Sequence, residues 1–399
     1  MELLSPQIAG FQKNSSMIRR MFEAAIELRK KYGVENVYDF SLGSPDQAPP
    51  ELVIKALKAL PEQINRPAGL GYMPNAGYPE AREALAAWLT KQQGVPLAGK
   101  DLVLTVGAAG GLNALFRAII TPGEEVICPA PYFVEYGFYC GNYGGILKPV
   151  KSRPDTFQLD IDGIAAAINE KTRALIINSP NNPTGVVYTE DEIKRLAAIL
   201  QAATDKYGRP IFLIADEPYR FLAFDGVKVP SVLPLYKYSV LVSSFSKNLG
   251  LAGERIGYVV VNPAMENSES LVGGVIFTNR TLGSVNAPCL GQKLMMASLD
   301  TVPDISVYEE RRRLMAEVLD KAGIEYQLPA GTFYFFPKVP GSGTDDVAFV
   351  AKLQEHRILA VPGSGFGYPG YYRLALCTDK RFILAAAEGF AKAAAEFRS

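Results

Sequence analysis

Short apolar runs, separated by amphipathic stretches, constrain the fold of this chain more than any other feature of its sequence. Between residues 102 and 261 the runs read LVLTV, EVICPA, ALIIN, FLIA, VLVSSF and IGYVVV. Stretches such as PEAREALAAWLTKQQ and TEDEIKRLAAILQAATDKY have the spacing of amphipathic helices. Strands that are apolar throughout are typical of parallel sheets covered by helices on both faces. The pattern therefore predicts a large α/β domain with a mostly parallel sheet flanked by helices.

The pattern changes after about residue 290, where a charged helix precedes an aromatic segment, another helix, a strand and an alanine-rich terminal helix. This order of elements predicts a smaller α+β domain. A predicted N-terminal helix over 16–31, which could pack with it, carries these apolar residues at helical spacing: Met17, Met21, Ala24, Ala25 and Leu28. Because 399 residues exceed one usual core, we expect 46–290 to form the large domain, and 1–45 with 291–399 the small one.

The composition disfavours several classes of function. Forty-one basic residues balance 41 acidic ones without a basic block, so we expect neither a nucleic acid nor a membrane surface as partner. The four cysteines lack the spacing of a metal site or a disulfide framework, which indicates reduced thiols in a cytoplasmic protein. No secretory leader and no apolar run of about 18 residues is evident. His356 is the single histidine, which disfavours a catalytic triad and a histidine-rich metal site, and we expect no metal.

Glycine-rich or polar segments follow several predicted strands. Ligands of open α/β sheets bind at the carboxyl ends of the strands, so these segments are candidates for a site. The segment 107–111, GAAGG, opens a helix whose free N–H groups could hold an anion, although a plain glycine-rich helix start fits equally well. Asn182 in SPNNPTG could simply hydrogen-bond its own turn. Asp216, after FLIA, is either a turn former or a buried anion that needs a cationic partner.

A lysine and an arginine follow the VLVSSF run. The run places Ser244, Ser246 and Lys247 at one edge of the predicted sheet, and Arg255 follows eight residues after Lys247. A lone lysine there would be surface decoration, whereas a lysine beside an anion clamp and Asp216 suits Schiff-base chemistry. An amine, a phosphate clamp and a carboxylate for a pyridinium nitrogen are the groups that pyridoxal phosphate requires of a protein. The combination therefore predicts a pyridoxal phosphate site.

Four motifs in this order resemble the class I/II aminotransferases, the aspartate-aminotransferase-like branch of the fold-type I pyridoxal-phosphate enzymes. They are NNPTG at 181–185, ADEPYRFL at 215–222, SSFSKNLGLAGERIG at 243–257 and YYRLALC at 371–377. The resemblance spans nearly the whole chain and implies the aspartate-aminotransferase-like fold. It also implies transfer of the amino group of an L-amino acid to a 2-oxo acid, through pyridoxamine phosphate, in a homodimer.

The resemblance assigns roles to individual residues. Lys247 would bond covalently to the cofactor and carry the proton between substrate and cofactor, while Asp216 would pair with the pyridinium nitrogen. Tyr219 and Asn182 would bind the 3-oxygen of the ring. Phe133 would stack on the ring, with Tyr132 as the alternative. The phosphate ligands would be side chains or backbone N–H groups of Ser244, Ser246, Arg255, Ala108 and Ala109.

Further residues would bind the substrate or reach across a dimer. Arg373 is implied to bind the substrate α-carboxylate as a bidentate pair, with the backbone of Gly43 nearby. Tyr72 is implied to reach the phosphate of the neighbouring subunit, which would make each site a composite of two chains. Arg280 lies near the region where dicarboxylate-specific relatives place a second arginine, which favours aspartate or glutamate as substrate. The alternative for Arg280 is an ordinary loop cation.

The sequence also departs from the family pattern. The segment 107–109 lacks the hydroxyl residue that many relatives use for phosphate, and His356 is too far along the chain to stand behind Asp216 as a histidine does in some relatives. The alternative functions are a pyridoxal-phosphate-dependent β-lyase, another fold-type I enzyme, or a non-catalytic cofactor-binding regulator. The regulator is disfavoured because no DNA-binding segment is evident.

Overall fold

A computed structural model describes residues 3–14, 16–341 and 345–398. Its strands are β1 Tyr38–Asp39, β2 Leu102–Val106, β3 Glu125–Ala130, β4 Ile146–Lys151, β5 Thr172–Asn178, β6 Phe212–Asp216, β7 Ser239–Ser244, β8 Ile256–Val261, β9 Tyr334–Phe335, β10 Ile358–Leu359, β11 Val361–Pro362 and β12 Tyr372–Ala375. Its helices are α1 Pro6–Asn14, α2 Ser16–Tyr32, α3 Glu51–Ile64, α4 Pro79–Gln93, α5 Gly107–Ile119, α6 Glu135–Gly141, α7 Ile161–Ala167, α8 Glu190–Tyr207, α9 Ser268–Thr281, α10 Cys289–Ser298, α11 Ser306–Lys321, α12 Asp346–Glu355, α13 Lys380–Ala385 and α14 Ala387–Arg398.

Seven of these strands form one sheet in the order β2-β8-β7-β6-β5-β3-β4. The β4, β3, β5, β6 and β7 strands run parallel, and β8 is antiparallel to both β7 and β2. The predicted large α/β architecture with a mostly parallel sheet is therefore confirmed. The parallel strands end at one edge, where Asn178 lies beside Asp216 in the register of β5 and β6.

The apolar strands are buried on both faces, as the runs predicted. Along β5, Ala174 and Ile176 belong to one core cluster, while Leu175 and Ile177 belong to the cluster on the other face. This alternation follows from the two-residue side-chain period of a strand. Leu115 of α5 is in the first cluster, and α4 and α8 contribute to the second. Helices thus cover both faces and fix the sheet edge that carries the polar residues.

The C-terminal part of the chain forms two small sheets around a second core. The β1 and β10 strands pair in parallel, and β11-β12-β9 form an antiparallel sheet. Their core cluster includes residues of α11, α12 and α14. The N-terminal helix α2 packs beside β10 in a separate small cluster that joins Ala25 and Leu359, whereas the side chains of Met17 and Met21 lie outside the described residues.

The division into domains at 45/46 and 290/291 stays a prediction. Helix α10, which begins at Cys289, packs Leu294 and Met295 into the core of the large sheet. The four cysteines are free thiols. Within the described residues no helix is long and apolar enough to cross a membrane. Nor does that part of the chain group three or more potential metal ligands.

Candidate active site

A cavity of about 360 Å³ opens at the carboxyl edge of the large sheet, between the two cores. Of the residues predicted from the sequence, those that line it are Gly43, Ala108, Ala109, Phe133, Asn182, Asp216, Tyr219, Ser244, Ser246, Lys247, Arg255 and Arg373. Two larger grooves of about 780 Å³ and 710 Å³ include neither Lys247 nor Asp216, although the second shares Pro218 and Ser244 with the cavity. The convergence of these side chains, rather than the volume of the cavity, identifies the candidate site.

Asp216 ends β6 with one carboxylate oxygen bound and the other free. The Tyr136 hydroxyl donates to Oδ2 at 2.5 Å, while Asn178 donates to the backbone oxygen of Asp216 at 2.8 Å. Oδ1 is buried and has no hydrogen-bond partner among the described residues. Burial raises the pKa of Asp216 to about 7, the Tyr136 hydrogen bond opposes this shift, and the charge of Glu217 adds to it. A protonated ring nitrogen in the cavity would satisfy Oδ1.

Backbone groups build the anion-binding end of the cavity. Helix α5 begins directly after β2, and no side chain caps its first turn, so its N–H groups and helix dipole suit an anion. Gly107, at φ +66°, donates from its backbone N to the Arg255 oxygen at 2.9 Å. A Cβ at Gly257 would lie 2.7 Å from the backbone N of Ala108 and overlap the Gly107 carbonyl carbon. Glycine at 257 is therefore required for the loop to approach the sheet.

Side chains complete this end. Ser244, the last residue of β7, donates its hydroxyl to Ser246 at 3.2 Å. Arg255 donates from Nη1 to the Ala252 backbone oxygen at 3.0 Å, and the residue is exposed. Two hydroxyls and a guanidinium thus line the same cavity as the first turn of α5, and donors of these kinds suit an anion.

Lys247 lies between the anion end and the second core. Its Nζ donates to the Gly43 backbone oxygen at 2.6 Å. Burial lowers the pKa of the Lys247 amine, the Cys377 thiol opposes this shift, and the charges of Arg373 and Arg255 add to it. A larger fraction of the amine is therefore neutral near pH 7 than for an exposed lysine, as a nucleophile or base requires.

Arg373, on β12, faces Lys247 with its guanidinium already held. Nη1 donates to Asn182 Oδ1 at 3.1 Å and Nη2 to the Ser41 oxygen at 2.6 Å. The guanidinium carbon lies 4.7 Å from the Tyr334 ring centre and 4.9 Å from that of Phe366. Its buried Nε has no partner in the described part of the chain. This planar, stacked cation is oriented before a carboxylate arrives.

Aromatic residues form the remaining walls. Phe133 lines the cavity and meets Tyr136 edge to face, with ring centres 5.7 Å apart. The alternative residue, Tyr132, does not line it. The Tyr219 hydroxyl lies 3.1 Å from that of Tyr334, and burial raises its pKa well above the usual range. Tyr219 therefore remains a neutral hydrogen-bonding group.

Position 43 is restricted by an aromatic residue from far along the chain. A Cβ on Gly43 would lie 2.6 Å from the ring carbon of Tyr334 that carries its hydroxyl. Tyr334 occupies β9 and is fully buried. Only glycine lets the 41–43 backbone reach both Lys247 and Arg373.

The sequence interpretation missed several cavity residues, which are Ser41, Glu135, Tyr136, Tyr139 and Tyr334. Three of them lie in EYGFY, the aromatic start of α6, which follows β3 at the same sheet edge; that position is the signal that could have found them. Glu135 has a buried Oε2 without a partner among the described residues. Burial raises the pKa of its carboxyl, against opposing effects of its own backbone N–H and of Arg373.

Two predicted residues lie outside the cavity of this single chain. Tyr72 is 95% exposed. Arg280 is exposed near the end of α9, with its guanidinium 5.3 Å from the Phe277 ring centre. Their roles were predicted to act across a dimer, so their positions in one chain leave those predictions untested.

The described residues fit pyridoxal phosphate. Oδ1 of Asp216 needs a donor, as a pyridinium nitrogen would supply. The first turn of α5, with Ser244 and Arg255, provides N–H, hydroxyl and guanidinium donors for a phosphate. Lys247 supplies the amine. The same residues would be poorly satisfied by an apolar ligand, because their polar atoms would stay buried without partners.

Comparisons with known proteins agree with this chemistry. A family model described as aminotransferase class I and II matches residues 35–388. The chain is 33% identical over 379 residues to a protein of Aquifex aeolicus named "Probable aspartate/prephenate aminotransferase", covering 90% of this chain and 91% of that protein. A crystal structure of an aminotransferase from Eubacterium rectale has a TM-score of 0.94 at 38% identity and covers 100% of both chains. Aspartate aminotransferase from Thermus thermophilus, solved with maleate, has a TM-score of 0.86 at 28% identity, covering 98% of this chain and 100% of that one. The chain therefore belongs to the class I and II aminotransferases, which are pyridoxal-phosphate-dependent enzymes.

Proposed function

We propose that this aminotransferase exchanges the amino group of aspartate or glutamate with a 2-oxo acid, in a site completed by a second copy of the chain. The observation that carries the assignment of roles is one cavity that holds the Lys247 amine, the free Oδ1 of Asp216 and the stacked Arg373 guanidinium. These groups suit a proton transfer, the cofactor ring and a substrate carboxylate respectively.

Arg373 orients the amino acid. Its guanidinium can donate two parallel hydrogen bonds to the α-carboxylate. The hydrogen bonds to Asn182 and Ser41 hold the plane of the guanidinium in place. The rings of Tyr334 and Phe366 restrict its rotation and reduce its contact with water. A carboxylate fixed here places the Cα–H of the substrate within the same cavity as Lys247.

Lys247 moves the proton. When bound, pyridoxal phosphate supplies an electron-accepting ring that makes the substrate Cα–H acidic. The lowered pKa of the buried Lys247 amine lets Nζ accept that proton, and the resulting ammonium can then deliver it to the cofactor. Asp216 would hold its carboxylate toward the ring nitrogen, and Phe133, which lines the same cavity, would pack against the ring.

Exposed apolar residues support a homodimer with composite sites. Leu70, Tyr72 and Phe277 are 62%, 95% and 56% exposed. The segment with Tyr72 is tied to the 285–286 loop, since Asn286 Nδ2 donates to the Met73 oxygen at 3.1 Å. Exposed apolar side chains that lie together are typical of a surface that another subunit covers, and Leu70 and Tyr72 are only two residues apart in the chain.

The proposal of an acidic substrate is based on Arg280 and on the names of relatives. Arg280 lies in the same exposed region of the chain as Phe277, so a dimer that brings Tyr72 to the neighbouring cavity could bring this cation as well. The Aquifex relative is named for aspartate and prephenate, and the Thermus structure holds maleate, a dicarboxylate. We also propose a cytoplasmic location, which the four free thiols support.

The function is tested by mixing the protein with each of the twenty amino acids and following the absorbance of the cofactor. Conversion by aspartate or glutamate, with the matching 2-oxo acid as product, is expected. Release of an eliminated side-chain fragment would instead identify a β-lyase, and no response to any amino acid would refute the aminotransferase assignment. Lys247→Ala is expected to lose the adduct that borohydride reduces, whereas the exposed control Lys100→Ala should keep it.

The composite site is tested by mixing inactive variants. In the first pair, one subunit carries Lys247→Ala and the other carries Arg373→Leu. Both residues line the cavity of their own subunit, so each site of the hybrid dimer has one defect. Lys247→Ala with Tyr72→Ala leaves one intact site per hybrid if Tyr72 serves the neighbouring cavity. We expect aminotransferase activity to be recovered in the second pair alone. Failure of both pairs to recover activity would exclude a shared site.

A further inference from the structure

We infer that Tyr136 is a positioning residue, which binds one carboxylate oxygen of Asp216 and thereby directs the other toward the ring nitrogen of the cofactor. The inference rests on the proposed pairing of Asp216 with that nitrogen. No motif in the sequence marks this position, because the histidine that some relatives set behind the aspartate is missing and His356 lies in another region.

The geometry leaves Asp216 one oxygen for the cavity. The Tyr136 hydroxyl donates to Oδ2 at 2.5 Å, and Oδ1 has no partner in the described part of the chain. Asn178 binds the backbone oxygen of Asp216 and does not compete for the carboxylate. Rotation of the carboxylate would break the only hydrogen bond found for it among the described residues, so Tyr136 selects one orientation.

Tyr136 is itself held rigidly. It lies in the first turn of α6 and is 1% exposed. Its ring meets Phe133 edge to face, with ring planes at 84°. Because Phe133 and Tyr136 belong to one turn, the residue above the proposed ring position and the residue behind Asp216 are positioned together.

The groups around Asp216 keep Tyr136 a neutral hydrogen-bond donor to its carboxylate. Tyr136 and Tyr139 face it from α6, Cys128 from β3, and Glu217 and Tyr219 follow it in the chain. Burial raises the pKa of the Cys128 thiol and of the Tyr136 phenol well above their usual ranges. Both stay neutral near pH 7, so Tyr136 donates a hydrogen bond throughout and cannot take a positive charge as histidine can. When Asp216 is ionised, the negative charge of the pair therefore lies on Asp216 and not on Tyr136.

The test is a double-mutant cycle on cofactor affinity. Tyr136→Phe removes the donor and keeps the ring, and we expect roughly tenfold weaker binding of pyridoxal phosphate by the apoprotein, equivalent to one pKa unit or about 1.4 kcal/mol. In an Asp216→Asn background the same change should alter affinity less than about twofold, because the charge that Tyr136 serves is gone. Tyr143→Phe, outside the cavity, is the matched control and should bind normally.

The pH dependence separates positioning from a packing role. The Tyr136 hydrogen bond lowers the pKa of Asp216, so Tyr136→Phe should move the loss of cofactor affinity on acidification to higher pH. An equal loss of affinity in both backgrounds, or an unshifted pH profile, would overturn the inference. Unchanged affinity in Asp216→Asn alone would instead refute the proposed pairing of Asp216 with the cofactor.

Discussion

Replacing Arg373 with lysine is expected to weaken recognition of the substrate carboxylate while keeping the positive charge. The lysine loses the second of two parallel charge-assisted hydrogen bonds, worth about 1.5–3 kcal/mol. It also loses stacking between the Tyr334 and Phe366 rings, about 0.5–1 kcal/mol for each. The combined loss of about 3 kcal/mol corresponds to a roughly 150-fold decrease in kcat/KM.

The assay compares an amino acid with a primary amine that lacks the carboxylate, such as 2-phenylethylamine. Arg373→Lys should reduce kcat/KM for the amino acid roughly 150-fold and leave the value for the amine within about threefold. Arg381→Lys makes the same change at an exposed position and is the control. An equal decrease for both substrates would refute carboxylate binding by Arg373 and indicate general damage to the site.

Three further changes have defined outcomes. Gly257→Ala should push the Gly107 backbone away and cost ~1–3 kcal/mol in cofactor affinity, measured by titration; Gly253→Ala, with nothing within 4 Å of the new Cβ, should bind normally, and equal affinities would contradict the packing argument. Because burial raises the pKa of Asp216 from 3.8 to about 7, its contribution to apoprotein stability is present below pH ~4 and lost as pH rises through 7. The free energy of unfolding of the Asp216→Asn apoprotein should therefore equal that of the wild type at pH 4 and exceed it by up to about 4 kcal/mol at pH 8, as measured by denaturant unfolding. A difference that does not depend on pH would show that the titration of Asp216 is not its cause. Glu135→Gln removes a buried carboxyl that interacts with Arg373 and should lower KM roughly tenfold for aspartate and alanine alike but not for 2-phenylethylamine, since a repulsion of ~1–2 kcal/mol against the α-carboxylate is relieved; an equal effect on the amine, which lacks that carboxylate, would exclude electrostatics.

The sequence predicts the cofactor end of the site well because that end follows a topological rule. Ala108, Asp216, Ser244 and Lys247 each come just after an apolar run, and the ends of such strands meet at one edge. The structure brings all four into one cavity. Lys247 also lies in one of the motifs that carry the family resemblance, so the strand pattern and the motif predict the same site residue.

The sequence does not predict contacts between distant segments. Tyr136 reads as an ordinary core aromatic, and nothing local shows that its hydroxyl meets Asp216, 80 residues away. Tyr334 restricts Gly43 only after the small sheet has formed. The direction of β8 was also beyond prediction, because an apolar run buried on both faces looks the same in either direction.

The antiparallel direction of β8 allows a short segment of chain to supply two residues of the site. In the register of β7 and β8, Ser244 lies opposite Gly257, so β8 starts at the edge where β7 ends. The chain between them can therefore be one loop, and Lys247 near its start and Arg255 at its end both remain at the cavity. A parallel β8 would require a crossover of a dozen or more residues and would begin at the far edge, which would carry Arg255 away from Lys247. Insertions into this loop should separate an amine from its phosphate-binding cation without disturbing either strand, which makes loop length itself a determinant of catalysis.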